Sequence, residues 1–157
     1  MSDVLELKLD RFLNAPRAKI WRAWSDPKHL KEWWCPKPWT TEVKEFDFRP
    51  GGGFHTYMTG PDGKGGTGES DNPGCFLEIV PREKIVTTSQ LGGGWRPLQS
   101  WMPMTAIVTF ADEGDGTRYI ARALHTTPEH LKQHEEMGFH EGWGTVAGQL
   151  EEYANAL

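Results

Sequence analysis

The sequence predicts an α+β fold in which an antiparallel sheet packs against one long C-terminal helix. The first observation is the spacing of the large apolar residues after Gly138, which recur every three or four positions, as on one helix face. These residues are Phe139, Trp143, Val146, Leu150, Tyr153 and Leu157. The second is a series of short segments between residues 40 and 126 that alternate apolar and polar side chains between tight turns. Strands joined by short turns favour an antiparallel meander.

The amino-terminal part is predicted to form one strand followed by two short helices. Leu5, Leu7 and Leu9 alternate with charged residues, and Arg11 falls on their side of the strand. Pro16 then opens a helix that ends before Asp26, and a second short helix follows over about residues 27–34.

Six to seven strands are expected in total. After the first, they cover residues 43–48, 54–60, 75–80, 84–91, 104–111 and 117–126. Two glycine-rich loops, 63–74 and 92–103, are longer than a compact fold requires. They are interpreted either as lids over a binding site or as disordered hairpin tips.

The long C-terminal helix can extend back to Pro128, with Thr127 as its N-cap. It contains four glycines, each of which costs about 1 kcal/mol relative to alanine inside a helix. Gly138 and Gly142 flank the apolar stripe, where they would allow close approach of the sheet or open a pocket. Gly144 and Gly148 project to the far side, where the sequence offers no reason for them.

Composition limits the classes of partner. The net charge of -5 and the isoelectric point near 5.7 argue against nucleic-acid and anionic-membrane surfaces, which need clustered cations. Cys35 and Cys75 lack metal-site or redox-motif spacing and are predicted to be buried free thiols. The length suits a single domain over residues 1–157, and the absence of a leader or spanning segment predicts a cytoplasmic protein.

A cavity is expected between the sheet and the helix, since a helix cannot contact a wide curved sheet along its whole width. Ala121 and Ala123 share a face of the last strand and would either leave volume for a ligand or make room for the helix. His125 or Glu135 would supply a polar anchor. The predicted ligand-binding residues are Trp39, Phe54, Thr56, Met58, Ala121, Ala123, His125, Glu135, Phe139 and Trp143.

Catalysis and metal binding have weaker support. His125 and Glu135 could form an acid–base dyad, but a hydrogen-bonded structural pair or no pair at all is favoured, and no residue is assigned a catalytic role. His130 and His134 have a chelating spacing, but Leu131 follows His130 where a zinc-protease motif has glutamate, and both project near the polar side. No metal or cofactor is therefore predicted.

Several motifs together resemble those of the START-like (SRPBCC, helix-grip) superfamily. They are EWWCP (32–36), FDFRPGG (46–52), LEIVP (77–81) and GFHEGW (138–143). Within the superfamily the chain is most similar to the bacterial branch related to the activator of heat-shock-protein ATPase and to polyketide cyclase-like proteins. The resemblance implies a curved sheet gripping the long helix around an apolar cavity for small hydrophobic molecules. It transfers no catalytic residue, because the superfamily hosts several activities.

The predicted function is therefore binding of a small apolar or aromatic molecule in an internal cavity. The alternatives are a cyclase- or hydrolase-type enzyme using that cavity and a chaperone-interacting module, which would carry an exposed apolar patch. Binding is favoured over catalysis. A chaperone partner is not expected, because the chain lacks the additional N-terminal domain of the eukaryotic co-chaperones. Homodimerisation stays open.

Overall fold

Ten strands and four helices make up the computed structural model, which describes residues 4–157. The strands are β1 (Glu6–Leu13), β2 (Thr40–Phe46), β3 (Phe54–Pro61), β4 (Thr67–Asn72), β5 (Cys75–Val80), β6 (Lys84–Thr88), β7 (Leu91–Gly92), β8 (Arg96–Pro97), β9 (Met104–Glu113) and β10 (Gly116–His125). The helices are α1 (Arg17–Ser25), α2 (Pro27–Leu30), α3 (Pro128–Glu136) and α4 (Phe139–Asn155).

The strands form two main antiparallel sheets and one small hairpin. The large sheet has the order β1-β10-β9-β6-β5, the small sheet has the order β2-β3-β4, and β7 pairs with β8. A single bridge between Gly53 and Cys75 joins the two main sheets. The α+β class and the helix-grip arrangement are confirmed, whereas the expected strand number of six to seven is too small.

The additional strands lie inside the two segments interpreted as loops. Residues 67–72 form β4, which pairs with β3 from Thr56 opposite Asn72 to Pro61 opposite Thr67. At the turn, Asp62 Oδ1 accepts hydrogen bonds from the backbone amides of Lys64 and Gly66. The sequence of β4 has no large apolar residue, so alternation of hydrophobic side chains could not reveal this strand.

The segment 92–103 is anchored to the rest of the protein at its β7–β8 hairpin. The amide of Gly94 donates to the carbonyl of Gly51 over 2.8 Å. The indole of Trp95 lies directly against Gly51, where any Cβ would collide with it. Gly51 thus fixes the position of the hairpin.

The C-terminal helical segment is broken in two, which corrects the prediction of one continuous helix. As expected, α3 begins at Pro128, and Thr127 Oγ1 accepts from the His130 amide over 3.1 Å. Gly138 then adopts φ 93°, outside the helical region and accessible at low cost to glycine alone. A second helix then begins at Phe139.

Helix α4 packs against α1, β1 and α3, and this packing forms the core. Its buried residues are Phe139, Ala147, Leu150 and Ala154. From α1, Trp24 is buried and its Nε1 donates to the hydroxyl of Tyr119 on β10 over 3.1 Å. The predicted apolar stripe of the helix is therefore the face that meets the core.

Arg11 explains the two glycines on the far side of the stripe. Its guanidinium lies between β1 and α4, where Nη1 donates to the carbonyl of Gly144 over 2.6 Å. A Cβ at Gly148 would lie 3.5 Å from Arg11 Nη2, so side chains larger than alanine would displace the guanidinium. These glycines face a protein side chain and not open solvent.

Both cysteines are buried free thiols, as predicted. The hydroxyl of Thr41 donates to Cys35 Sγ over 3.0 Å, and burial raises the pKa of the Cys35 thiol. Neither thiol is therefore set up as a nucleophile at neutral pH.

Along residues 4–157, no helix has the length and apolar character to cross a membrane.

Candidate ligand-binding groove

The ten residues predicted from the sequence differ in how accessible they are. The buried ones are Phe54, Thr56, Ala121, Ala123, His125 and Phe139. The half-buried ones are Trp39, Met58 and Trp143, and Glu135 is exposed. Only the half-buried residues combine a position near the core with surface that a ligand could cover.

The space beside Ala123 is occupied by protein. Ala123 packs with Leu7 and Phe139 in a small buried cluster, against which Trp143 also rests. Ala121, one pleat further along β10, belongs to the main core cluster. The two alanines therefore make room for neighbouring side chains at this end of the sheet.

The inner face of the small sheet, which carries its core residues, leads from the buried core outward along β3. Phe54 stacks on Phe76 with ring centroids 4.7 Å apart. Thr56 follows and is buried, and Met58, next on the same face, is half-buried. Accessibility therefore increases along this strand from the core towards the β3–β4 turn.

Trp39 covers the outer end of this face. Its indole lies across Gly60 of β3 and close to Gly68 of β4, and a Cβ at Gly60 would collide with the ring. These two residues are directly opposite in the β3–β4 register. The glycines thus create the shallow surface on which Trp39 rests.

Helix α4 has open space beside Gly142. A Cβ built at Gly142 would meet no atom within 4 Å. Helical spacing places Gly142 on the same side of α4 as Val146 and Gln149, and Val146 is half-buried. The amide of Gln149 donates to the carbonyls of Trp33 and Cys35, which fixes the chain leading to Trp39.

His125 and Glu135 do not pair, which is one of the two alternatives favoured over a dyad. His125 Nε2 lies 2.8 Å from His134 Nδ1, so this hydrogen bond joins two histidines on β10 and α3. Glu135 is exposed, and its Oε2 lies 4.0 Å from Nε2 of His140. His134, assigned from the sequence to the polar side, is buried, because the break at Gly138 invalidates extrapolation of the α4 stripe into α3.

Burial disfavours the charged form of both histidines. Burial lowers the pKa of His125, and burial together with repulsion from His125 lowers the pKa of His134 to about 4. Among the described residues, His125 Nδ1 has no hydrogen-bond partner although it is buried. The pair therefore fixes α3 on β10 and leaves one polar atom unsatisfied.

Two shallow cavities lie away from these residues. One of about 320 Å³ is lined by Glu45, His55, Arg96, Pro73, Leu98 and three glycines. The other, of about 350 Å³, lies between α2 and β2 beside Lys28, Lys31 and Glu42. Sequence reasoning missed Glu45, His55 and Arg96, because only strand register and the β7–β8 hairpin bring them together.

Residues 4–157 contain no group of three or more His, Cys, Asp or Glu side chains placed to hold a metal ion.

Comparison with known families identifies the family of the chain. Residues 14–155 match the family described as activator of Hsp90 ATPase homolog 1-like protein. No curated protein matches the sequence.

Solved structures show the same fold. A crystal structure of a protein from Nitrosomonas europaea is 42% identical, with a TM-score of 0.88, over 96% of this chain and 94% of the other. One from Mycobacterium smegmatis is 25% identical, with a TM-score of 0.79 and coverage of 96% and 94%. A solution structure of an AHSA1-like protein from Aeromonas hydrophila is 19% identical, with a TM-score of 0.70 and coverage of 96% and 92%. The last comparison concerns the fold alone.

Proposed function

The chain belongs to the activator of Hsp90 ATPase homolog 1-like family, with a START-like fold, and we propose that it binds a small apolar or aromatic molecule between α4 and the small sheet. We call this space the α4 groove and define it by Trp39, Met58, Gly142, Trp143 and Val146. The START-like fold is in general a ligand-binding fold, and the proposal adds the location and the chemistry of the ligand.

The open space beside Gly142 carries the proposal. Inside a helix, glycine costs about 1 kcal/mol relative to alanine, and here no neighbouring atom requires its small size. Met58 and Trp143 are half-buried, so each keeps apolar surface in contact with water. A ligand that covers this surface gains about 25 cal/mol per Å² of apolar area removed from water.

The other predicted residues have supporting roles in this proposal. Phe54, Ala121, Ala123 and Phe139 are packed against protein and shape the walls from behind. His125 is the proposed polar anchor, because its buried Nδ1 has no partner among residues 4–157. Thr56 of β3 is proposed as a second polar group, and the exposed Glu135 is proposed to lie at the entrance.

A variant that fills the space tests the proposal. Gly142→Leu places an apolar side chain where a Cβ meets no atom, whereas Thr145→Leu adds the same side chain at an exposed position of α4. The probe is 1-anilinonaphthalene-8-sulfonate, followed by fluorescence at neutral pH. We expect Gly142→Leu to weaken probe binding roughly ten-fold or more and Thr145→Leu to leave it unchanged.

Native mass spectrometry of the protein purified from its source provides an independent readout. A small molecule retained by the parent protein and by Thr145→Leu, but lost from Gly142→Leu, would support the groove. Equal probe binding by the two variants would refute it, provided that both melt cooperatively.

The two alternative functions have less support. An acid–base enzyme required His125 and Glu135 together, and His125 is instead bonded to His134. A chaperone-interacting module required a contiguous apolar patch. The exposed large apolar side chains are dispersed over the N-terminal strand, the 92–103 segment and the α3–α4 break, at Val4, Phe12, Trp95, Trp101 and Met137. Cytoplasmic localisation and homodimerisation stay as proposals.

A further inference from the structure

The outer face of the small sheet carries a charged cavity that the α4 groove does not use. It has a volume of about 320 Å³ and is lined by Glu45, His55 and Arg96 together with Pro73 and Leu98. We propose that it binds a small zwitterion of the α-amino acid class. The ammonium group contacts Glu45 and His55, the carboxylate contacts Arg96, and an apolar side chain lies on Pro73 and Leu98.

Strand register creates the ammonium site. Glu45 of β2 lies directly opposite His55 of β3, and His55 alternates with the inward-facing Phe54 and Thr56. Directly opposed residues of an antiparallel pair have Cβ atoms about 5 Å apart, so these two side chains are neighbours on the outer face. The cavity and the α4 groove therefore lie on opposite faces of one sheet.

Asp71 determines which nitrogen of His55 can accept a hydrogen bond. His55 Nε2 lies 2.5 Å from Asp71 Oδ1. An ionised carboxylate accepts hydrogen bonds but does not donate them, so Nε2 carries the hydrogen. In the neutral ring, Nδ1 is then an acceptor. Together with the Glu45 carboxylate it matches an ammonium group, which has three donors and no acceptor.

The carboxylate of Glu45 lies against glycine backbone and has no cationic partner among residues 4–157. Its carboxylate lies against Gly53 and Gly93, where a Cβ on Gly53 would collide with Oε1 and one on Gly93 would approach Oε2 to 3.1 Å. Among residues 4–157, no Lys, Arg or His comes within salt-bridge distance of it. The absence of a side chain at Gly53 and Gly93 leaves space for the carboxylate of Glu45. The charge of this carboxylate is available to a ligand.

Arg96 supplies the opposite charge from the β7–β8 hairpin. The preceding residue, Trp95, has φ 64°, a left-handed conformation that is strained for a tryptophan. Contact of its indole with Gly51, and the Gly94 hydrogen bond to the same residue, hold this conformation. In the described chain Arg96 forms no salt bridge, and a guanidinium binds a carboxylate through two parallel hydrogen bonds.

The remaining wall and the volume limit the size of the ligand. Leu98 packs on Gly92, with 3.4 Å between its Cδ1 and a Cβ built at that glycine. Leu98 and Pro73 offer apolar surface but no charge. The cavity volume is at the lower end of the range for small-molecule sites. A single amino acid with an aliphatic side chain fits this combination.

Calorimetric titration with L-leucine tests the proposal directly. N-acetyl-leucine lacks the ammonium group and leucinamide lacks the carboxylate, so each should bind at least about ten-fold more weakly. Glu45→Gln and Arg96→Gln should weaken L-leucine binding by a similar factor. Glu83→Gln and Arg22→Gln remove exposed charges of the same kinds outside the cavity and should leave it unchanged.

Three results would overturn the assignment. The first is that L-leucine does not bind to the parent protein. The second is that either analogue binds as tightly as L-leucine. The third is that L-leucine binds Glu45→Gln and Arg96→Gln as tightly as it binds the parent. Gly142→Leu, which alters the α4 groove on the other face, should retain L-leucine binding, so failure of one site does not imply failure of the other. Circular dichroism of each variant confirms that the fold is kept.

Discussion

The two main sheets differ in how their inner faces are covered. In the large sheet, β10 has inward-facing residues that are all buried at Thr117, Tyr119, Ala121, Ala123 and His125, because α1, α3 and α4 pack against this part of the protein. In the small sheet, β2 has no buried residue and β4 has none either. The helices thus cover the inner face of β10 in the large sheet, whereas in the small sheet only Phe54 and Thr56 of β3 are buried.

The large sheet is thus the structural part of the molecule, and the small sheet is the part with surface that a ligand could cover. The buried large sheet, with its aromatic and aliphatic contacts, holds the fold together. The small sheet exposes apolar residues on one face and charged residues on the other, and both proposed sites lie on it. A fold with this division can vary its binding surfaces at low cost in stability.

The contact between α3 and the large sheet should fail in acid. The pKa of His134 is about 4 in the folded chain, compared with 6.5 in the unfolded chain. Between these pH values the unfolded chain binds a proton at His134 and the folded chain does not. The contribution of His134 to the free energy of unfolding is fully present above about pH 6.5. It falls as the pH decreases towards 4, by roughly 3 kcal/mol in total for this residue. Urea unfolding between about pH 7 and pH 4.5 measures the loss.

Two histidine variants provide the control for this pH dependence. His134→Gln removes the buried titrating group and should flatten the pH dependence in this range. His140→Gln removes an exposed histidine and should retain it. An unchanged pH profile in His134→Gln would show that the cover of the large sheet does not depend on the neutral pair.

Truncation of matched valines compares the sheets directly. Val108 of β9 is 4% exposed in the core, whereas Val43 of β2 is half-buried. We expect Val108→Ala to lower the free energy of unfolding by roughly 2 kcal/mol and Val43→Ala by roughly half as much or less, because only the first leaves a closed cavity. Denaturant titration gives both values. Equal losses would mean that both inner faces are equally well packed.

Alanine substitutions at Gly142 in α4 and at Gly138 in the α3–α4 break have the smallest expected effects on stability. The two effects have opposite signs. Gly142→Ala adds a methyl group where a Cβ meets no atom and should stabilise the protein by up to about 1 kcal/mol. Gly138→Ala forces alanine into φ 93° at the α3–α4 break and should destabilise it by about 1 kcal/mol. Thermal unfolding distinguishes the two. Stabilisation by Gly138→Ala would indicate that the break is not required.

Local sequence patterns predicted the elements that bury a regular stripe. The spacing of Phe139, Trp143 and Leu150 identified the face of α4, and Thr127 with Pro128 identified the start of α3. The alternation of β1 predicted that Arg11 faces inward with its leucines. Each of these features is encoded within a few residues, because side-chain period follows directly from backbone geometry.

Elements without such a stripe were missed or misplaced. β4 buries no apolar side chain, and its small and polar residues resemble those of a loop. It pairs with β3 through the backbone and through polar side-chain contacts such as His55–Asp71. The break at Gly138 depends on one backbone angle, and it moved His134 from the predicted polar side into contact with His125. No local pattern distinguishes this glycine from the three that remain helical.

The sequence by itself determined the α+β class, the superfamily and the apolar face of the C-terminal helix, since periodicity and motifs are local properties. Tertiary structure alone decided that His125 meets His134, that Arg11 reaches Gly144, and that Glu45, His55 and Arg96 surround one cavity. These contacts join residues distant in the chain. They depend on strand register and on the packing of whole elements, which the period of a single segment does not specify.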